Sequence, residues 1–274
     1  MNGKNRFYLV IAFLCSVSGI QAQKSHHNIM LGFSVGYDNY FGATNKPEQV
    51  REYKSAYDNY YYGCGVISPD QSVDIFHAGV QAEYFLCNNR IGLSSGLRFS
   101  HTSAKLQSDE EYFFWKIGEE NLITDYVRIR KITEQNYWLG IPFEIRFLTK
   151  KRNIRKHDYQ CYLKLGYSYN RLIGSNNGIS FQNQAMEGYA SEIQEHLLPL
   201  SSAYSYFYPA FGLKIGRVKD HQDRFPQINL ECHVPGALLS KNISSFLKPN
   251  GNIGAGIQLT VQIPLGTNTS SKHK

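Results

Sequence analysis

Beyond residue 17 the sequence has no continuous apolar run of the roughly 18 residues that a membrane helix requires. Spanning by helices is therefore excluded for that part of the chain, and a closed β-barrel is the remaining way for it to cross a bilayer. Cysteine is sparse, five in 274 residues, and none lies in a CxxC or Cys/His spacing of the kind that holds zinc. No metal site and no cofactor is expected. Cys15 sits inside an apolar run without the small-residue approach of a lipoprotein anchor. The other four, Cys64, Cys87, Cys161 and Cys232, are an even number that an oxidising compartment permits to pair, in a pattern the sequence leaves open. Cys161 and Cys232 share the parity of apolar neighbours, which suits small hydrophobes.

An acidic excess is also missing. The formal charge is +7, and much of it sits in Lys150, Lys151, Arg152, Arg155 and Lys156. Such a cluster serves nucleic acid, anionic lipid or a solvated turn. The start of the chain argues for export and so against nucleic acid: Lys4 and Arg6 precede an apolar run over residues 7–17, and SGIQAQ offers a cut after Ala22. Residues 1–22 are thus expected to be a signal peptide, residues 23–266 a single barrel domain, and the Ser/Thr/Lys-rich residues 267–274 a disordered tail. Loss of Lys4 and Arg6 lowers the charge by two, to +5, and the basic cluster is expected to be a solvated turn.

What is abundant is alternation. In YWLGIPFEIRF, Tyr137, Leu139, Ile141, Phe143, Ile145 and Phe147 share one parity, against Gly140, Pro142, Glu144 and Arg146 on the other. After the basic stretch, Cys161, Leu163, Leu165, Tyr167 and Tyr169 oppose Tyr162, Lys164, Gly166, Ser168 and Asn170. Two strands of about ten residues joined by a polar turn make a hairpin. The same period recurs near 28–37, 73–86, 91–100, 204–218, 225–234 and 252–263, which gives eight strands. Cys87-Asn88-Asn89-Arg90 reads as a tight turn. Residues 38–72, 101–133 and 174–203 read as long loops and 235–251 as a shorter one. Within them, EYFFW and YVRIRKI are expected to add a short hairpin, and 191–198 a helical turn.

Alternation alone leaves two sidedness choices. A soluble lipocalin-like barrel turns its apolar parity inward, whereas an outer-membrane barrel turns it to lipid. Four features favour the second: charges at mid-strand on the polar parity, strand lengths near the roughly 9–11 residues a bilayer requires, alternating long and short connections, and aromatics at both strand ends. The expected fold is all-β, an eight-stranded antiparallel up-and-down transmembrane β-barrel with long extracellular loops, in the cell outer membrane. Its partners would be outer-membrane lipid and lipopolysaccharide, with envelope proteins a further class.

The chain resembles the PorT-like outer-membrane β-barrels of Bacteroidetes. The resemblance is carried by SGIQAQ, by LGIPFEIRF and the YLKLGYSYN that follows, and by the Gly-rich closing strand GNIGAGIQLTVQIPL. It implies an eight-stranded barrel and brings a role accessory to protein secretion into view. The chain departs from such barrels at its end, where Leu265-Gly266 and a polar tail stand in place of a terminal aromatic.

Two residue sets are candidates for function. His77, Glu83, Arg98, Glu144, Arg146, Lys164, Lys214, Glu231 and His233 share the interior parity and are expected to form a salt-bridged plug rather than a solute path, since eight strands leave little lumen. His101 and Ser103, with Glu110 or Glu111 to orient the histidine, look like the His-x-Ser of lipid A deacylases. Ala104 stands where such enzymes commonly carry Asn, and a non-enzymatic barrel is the favoured reading. Tyrosine-rich loops suggest surface binding.

Overall fold

The strands form where β-branched and aromatic residues alternate with small or polar ones, and they pair around a circle. The computed structural model describes residues 29–44, 50–52, 70–87, 89–107, 112–117, 125–154, 157–217, 226–233, 236–239 and 243–265. The expected signal peptide and tail, Cys64 and Glu110 lie outside them. In chain order the strands are β1 (Ile29–Thr44), β2 (Val50–Glu52), β3 (Asp70–Leu86), β4 (Ile91–Gln107), β5 (Phe113–Ile117), β6 (Asp125–Leu148), β7 (Arg152–Ile154) and β8 (His157–Phe181). A 3-10 turn, Gln184–Tyr189, runs into α1 (Ala190–His196), followed by β9 (Ala203–Arg217), β10 (Gln227–His233), β11 (Ala237–Leu238) and β12 (Leu247–Pro264).

Eight of these close a ring. β1, β3, β4, β6, β8, β9, β10 and β12 each pair antiparallel with the next in that order. The first and last join through Leu31↔Ile263 to Tyr40↔Gly254. Neighbours in the ring follow one another along the chain, so the path runs up and down. The four short strands extend its edges: β5 continues along β6, β2 along β5, β7 along β8, and β11 along β9.

Two local features follow from covalent chemistry. Pro142 has no amide hydrogen, and the β4–β6 ladder skips from Ser95↔Phe143 to Arg98↔Gly140, leaving Ile141 and Pro142 unpaired on that side. The β3–β4 turn places Cys87 at φ 52° and Asn89 at φ 60°. Asn is the residue expected there, while a left-handed Cys is not.

Strand length departs from expectation. β6 has 24 residues and β8 has 25, where about ten were expected. The expected loops 101–133 and 174–203 are in part strand, since β4 runs on to Gln107, β6 starts at Asp125 and β8 continues to Phe181. The expected helical turn is present as α1, and the EYFFW/YVRIRKI hairpin as β5 paired with β6.

The added length carries the opposite polarity. Nearest the short turns, the outward residues are apolar: Phe33, Leu97, Phe143 and Leu230 are exposed, with Phe211 at 60% and Ile257 at 64%. Nearest the long connections the apolar residues point inward. Val73, Ile75, Leu106, Phe113, Trp115, Ile129, Ile132 and Trp138 form a buried core there, closed by Ile193 of α1 and by Ile243, Phe246 and Leu247. A smaller cluster, Met30, Phe85, Leu148 and Tyr162, seals the short-turn end. Between the two lies a polar interior.

Candidate functional site

The polar interior is built from complementary sizes. Glycines on the inward parity leave room for large polar side chains of the adjacent strand: a Cβ at Gly166 would run into the Tyr208 ring, one at Gly212 into the Tyr162 ring, and one at Gly36 into the His77 imidazole. The mixture of glycine and charge on this parity is therefore one packing arrangement.

Three cations meet three carboxylates at its centre, all side chains at most 1% exposed. Arg98 Nη2 lies 3.0 Å from Glu144 Oε1. Arg146 reaches Glu83 Oε2 at 3.0 Å, Glu231 Oε1 at 3.0 Å and Glu144 Oε2 at 3.2 Å. Lys164 Nζ bridges Glu144, at 3.3 Å, and Glu231. Tyrosines complete the carboxylates: Tyr208 donates to Glu144 at 2.6 Å and Tyr162 to Glu231 at 2.8 Å, while Arg98 donates to the Tyr206 hydroxyl at 3.2 Å. Gln262 donates to Glu83. Because an unpaired charge is costly in a low-dielectric interior, the equal count on the two sides is what makes the arrangement tenable.

A histidine pair adjoins this network. His77 and His233 stack with centroids 6.0 Å apart, and both face Asp38, at 3.5 Å from His77 Nδ1 and 2.8 Å from His233 Nδ1. His233 Nε2 is 3.7 Å from Glu231. Lys214 lies apart, its ammonium 4.3 Å from the Phe85 ring centroid at the short-turn end. The nine residues expected on the interior parity are thus all buried inside the ring, eight around one network and Lys214 beside it. Sequence reasoning passed over Asp38, Tyr162, Tyr206, Tyr208 and Gln262. The signal for Asp38 was its inward parity with Gly32, Ser34 and Gly36.

A second buried carboxylate group lies nearer the long connections. Glu134 accepts from Asn136 Nδ2 at 2.8 Å, Ser244 Oγ at 2.7 Å, Ser245 N at 2.7 Å and Ser245 Oγ at 3.0 Å. It holds residues 243–247, and with them the Phe246 ring, inside the upper ring. From one end to the other the interior is filled by packed apolar side chains, then paired charges, then apolar side chains.

His101 and Ser103 face outward at the level where the apolar wall ends. The His101 ring packs against Tyr137 at 5.0 Å, and among the described residues no hydrogen bond joins it to Ser103. Opposite Ser103 stands Asp74, whose carboxylate accepts from Tyr37 at 2.5 Å and Asn39 at 2.7 Å. Among the described residues no hydrogen bond links His101, Ser103 and Asp74, and Glu110 and Glu111 lie outside them. Cys87, Cys161 and Cys232 are exposed free thiols, and Cys161 and Cys232 lie on the apolar wall.

No protein-family model matches the chain, and no curated protein matches it. Among solved structures it is similar to Ail, the attachment invasion locus protein of Yersinia pestis, solved with the heparin analogue sucrose octasulfate. Identity there is 10%, over 86% of this chain and 98% of that one, with a TM-score of 0.24. It is also similar to the translocator domain of the autotransporter NalP from Neisseria meningitidis, at 6% identity over 95% and 96% of the two chains, with a TM-score of 0.25. Scores this low support nothing further. The chain's own geometry defines its class: a closed ring of eight antiparallel strands, charged within and apolar without over the half nearest the short turns.

Proposed function

We propose that this chain is an outer-membrane β-barrel with a structural and surface-interaction role and no catalytic one. One observation carries the proposal: the ring half nearest the short turns encloses paired charges and shows an apolar wall to its surroundings. On β6 the outward apolar stretch, residues 139–147, has the length that a tilted membrane strand needs, about 9–11 residues. In water, a continuous apolar belt would far exceed the few hundred Å² that soluble surfaces tolerate. A soluble lipocalin-like barrel would place this parity inside. Lipid therefore covers the belt, the short turns with the basic β7 face the periplasm, and the long connections extend outside the cell.

The interior is closed at both ends by apolar clusters, which favours a rigid anchor over a solute path. Among the described residues no hydrogen bond joins His101 to Ser103, so the deacylase reading gains no support, and contact by the outer half is the work we assign to the molecule. A part in protein secretion rests on the resemblance to PorT-like barrels alone.

The test is fractionation followed by gel electrophoresis of unheated and boiled samples. The protein should partition with the outer membrane, require detergent for release, and migrate differently before and after boiling. Recovery in the soluble periplasm would overturn the proposal.

A further inference from the structure

Among the described side chains, the outer half of the ring carries its outward cations on one wall. Lys105 on β4, Lys116 on β5, and Arg128, Arg130 and Lys131 on β6 lie on the outward face above the apolar belt, and Arg171 on β8 marks the belt's upper edge, opposite Leu139. The register makes them neighbours. Lys105 stands across from Thr133 and Lys131 across from Gln107, so the two lysines are diagonal, at about 7–8 Å between backbones. Arg128 stands across from Phe114 and Lys116 across from Tyr126, which makes Lys116 and Arg128 diagonal in turn. A register shift between Ile129 and Lys131 turns both Arg130 and Lys131 outward and adds a cation to the strip.

No carboxylate faces outward among the described side chains of this wall. Glu187, Glu192 and Glu195 lie on the 3-10 turn and α1, and among the described residues none forms an ion pair with Lys116, Arg128, Arg130 or Lys131. Arg128 is held in place by the Tyr112 ring, 5.1 Å from its guanidinium carbon, and by Gln182 at 3.4 Å. In the same zone β1, β3 and β9 present Asn39, Ser72, Asp74 and Ser205, with no outward cation among their described side chains. A merely solvated surface mixes signs; among the described side chains the cations gather on this wall.

Its height selects the occupant. Arg171 sits at the rim, where headgroup phosphates lie, and Lys105 stands six β6 positions above the Leu139 row, about 15 Å higher at the usual rise and tilt. We propose that this wall binds the phosphorylated, acid-sugar headgroup of lipopolysaccharide in the surrounding outer leaflet: Arg171 takes phosphate at the membrane surface, and Arg128, Arg130 and Lys131 take the anionic inner-core sugars above it. Guanidinium groups suit the task because they grip phosphate in a bidentate fork. The inference rests on the outer-membrane reading and names the partner of its outer half.

The experiment uses the detergent-extracted full chain and purified rough-type lipopolysaccharide, with bound lipid counted by native mass spectrometry. Arg128→Gln, Arg130→Gln, Lys131→Gln and Arg171→Gln are combined in one variant, and Lys150→Gln with Arg152→Gln at the opposite end serve as the control. The wall variant should bind roughly tenfold more weakly or worse, and the control should equal the parent. Parent binding should fall on raising salt and on enzymatic removal of the lipid phosphates. Equal binding by wall variant and parent, indifference to dephosphorylation, or a loss confined to soluble sulfated polysaccharide would overturn the inference. Heat-modifiable mobility of each variant separates the two failures: a protein that shows none defeats the outer-membrane reading itself, and a folded barrel with unchanged lipid binding defeats only the wall.

Discussion

Strand β6 passes through two environments and is wired oppositely in each. Over residues 139–147 its exposed side chains are Leu139, Ile141, Phe143, Ile145 and Phe147, and its buried ones include Glu144 and Arg146. Over residues 126–136 the exposed side chains are Tyr126, Arg128, Arg130 and Gln135, and the buried ones include Val127, Ile129 and Ile132. The pleat is the same in both stretches. What differs is which face meets an apolar surrounding, so the period of a strand reports that one face is apolar and leaves open where that face points. The half nearest the short turns has paired charges inside and an apolar wall outside; the outer half has an ordinary apolar core and a polar exterior.

Removing one member of the central network should have the largest effect. Glu231→Ala leaves three buried cations facing two carboxylates and takes one partner each from Arg146, Lys164 and Tyr162, and breaking a buried pair costs about 3–5 kcal/mol. The folded, heat-modifiable form should fall sharply in urea titrations from lipid vesicles. Phe246→Ala belongs to the other half. An emptied aromatic site costs about 3–5 kcal/mol as well, yet here it should appear as faster proteolysis of the outer half while the half nearest the short turns keeps its gel mobility. Simultaneous loss of both would show that the two halves form one cooperative unit.

The same substitution placed in each half sharpens the contrast. Ile145→Lys puts an ammonium on the apolar wall, at a cost of about 2–4 kcal/mol at mid-depth. Gln135→Lys, outward on the same strand ten positions earlier, should change stability by less than about 0.5 kcal/mol, as exposed surface substitutions do. Equal tolerance at both sites, measured by vesicle unfolding, would remove the distinction between the halves.

The sequence displayed the half nearest the short turns plainly. There the apolar parity is unbroken, and Glu144, Arg146, Lys164 and Glu231 stand in phase on the other face, so the strands of the ring and the inward side of these charges could be read from spacing. The outer half was hidden for a physical reason. Where the polarity of the two faces exchanges, as between Gln135 and Leu139, a search for continued outward apolarity stops, and genuine strand reads as loop. The two outward cations in succession at the β6 register shift obscured the period further. Pairing choices such as Asp38 between two histidines, or Tyr208 over Gly166, depend on which strands are neighbours. That follows only once the ring is closed.

The most local predicted effect tests the junction between the halves. Glu134 is a buried carboxylate that, unlike Glu144 and Glu231, is satisfied by hydroxyls, one amide side chain and a backbone N–H, with no cation bonded to it among the described residues. Glu134→Gln keeps its size and withdraws one acceptor. If the amide nitrogen takes the place of Oε2, it meets Ser244 and Ser245 as a donor facing donors; if the carbonyl does, the nitrogen faces Asn136 instead. Either way one buried polar group loses its partner, at about 1–3 kcal/mol. That cost should be confined to segment 243–247 and read as faster amide exchange there, with the central network and the heat-modifiable mobility unchanged. Exchange that accelerates at Glu144 and Glu231 as well would instead tie the hydrogen-bonded carboxylate to the ion-paired ones. The outer core would then be part of what holds the half nearest the short turns together.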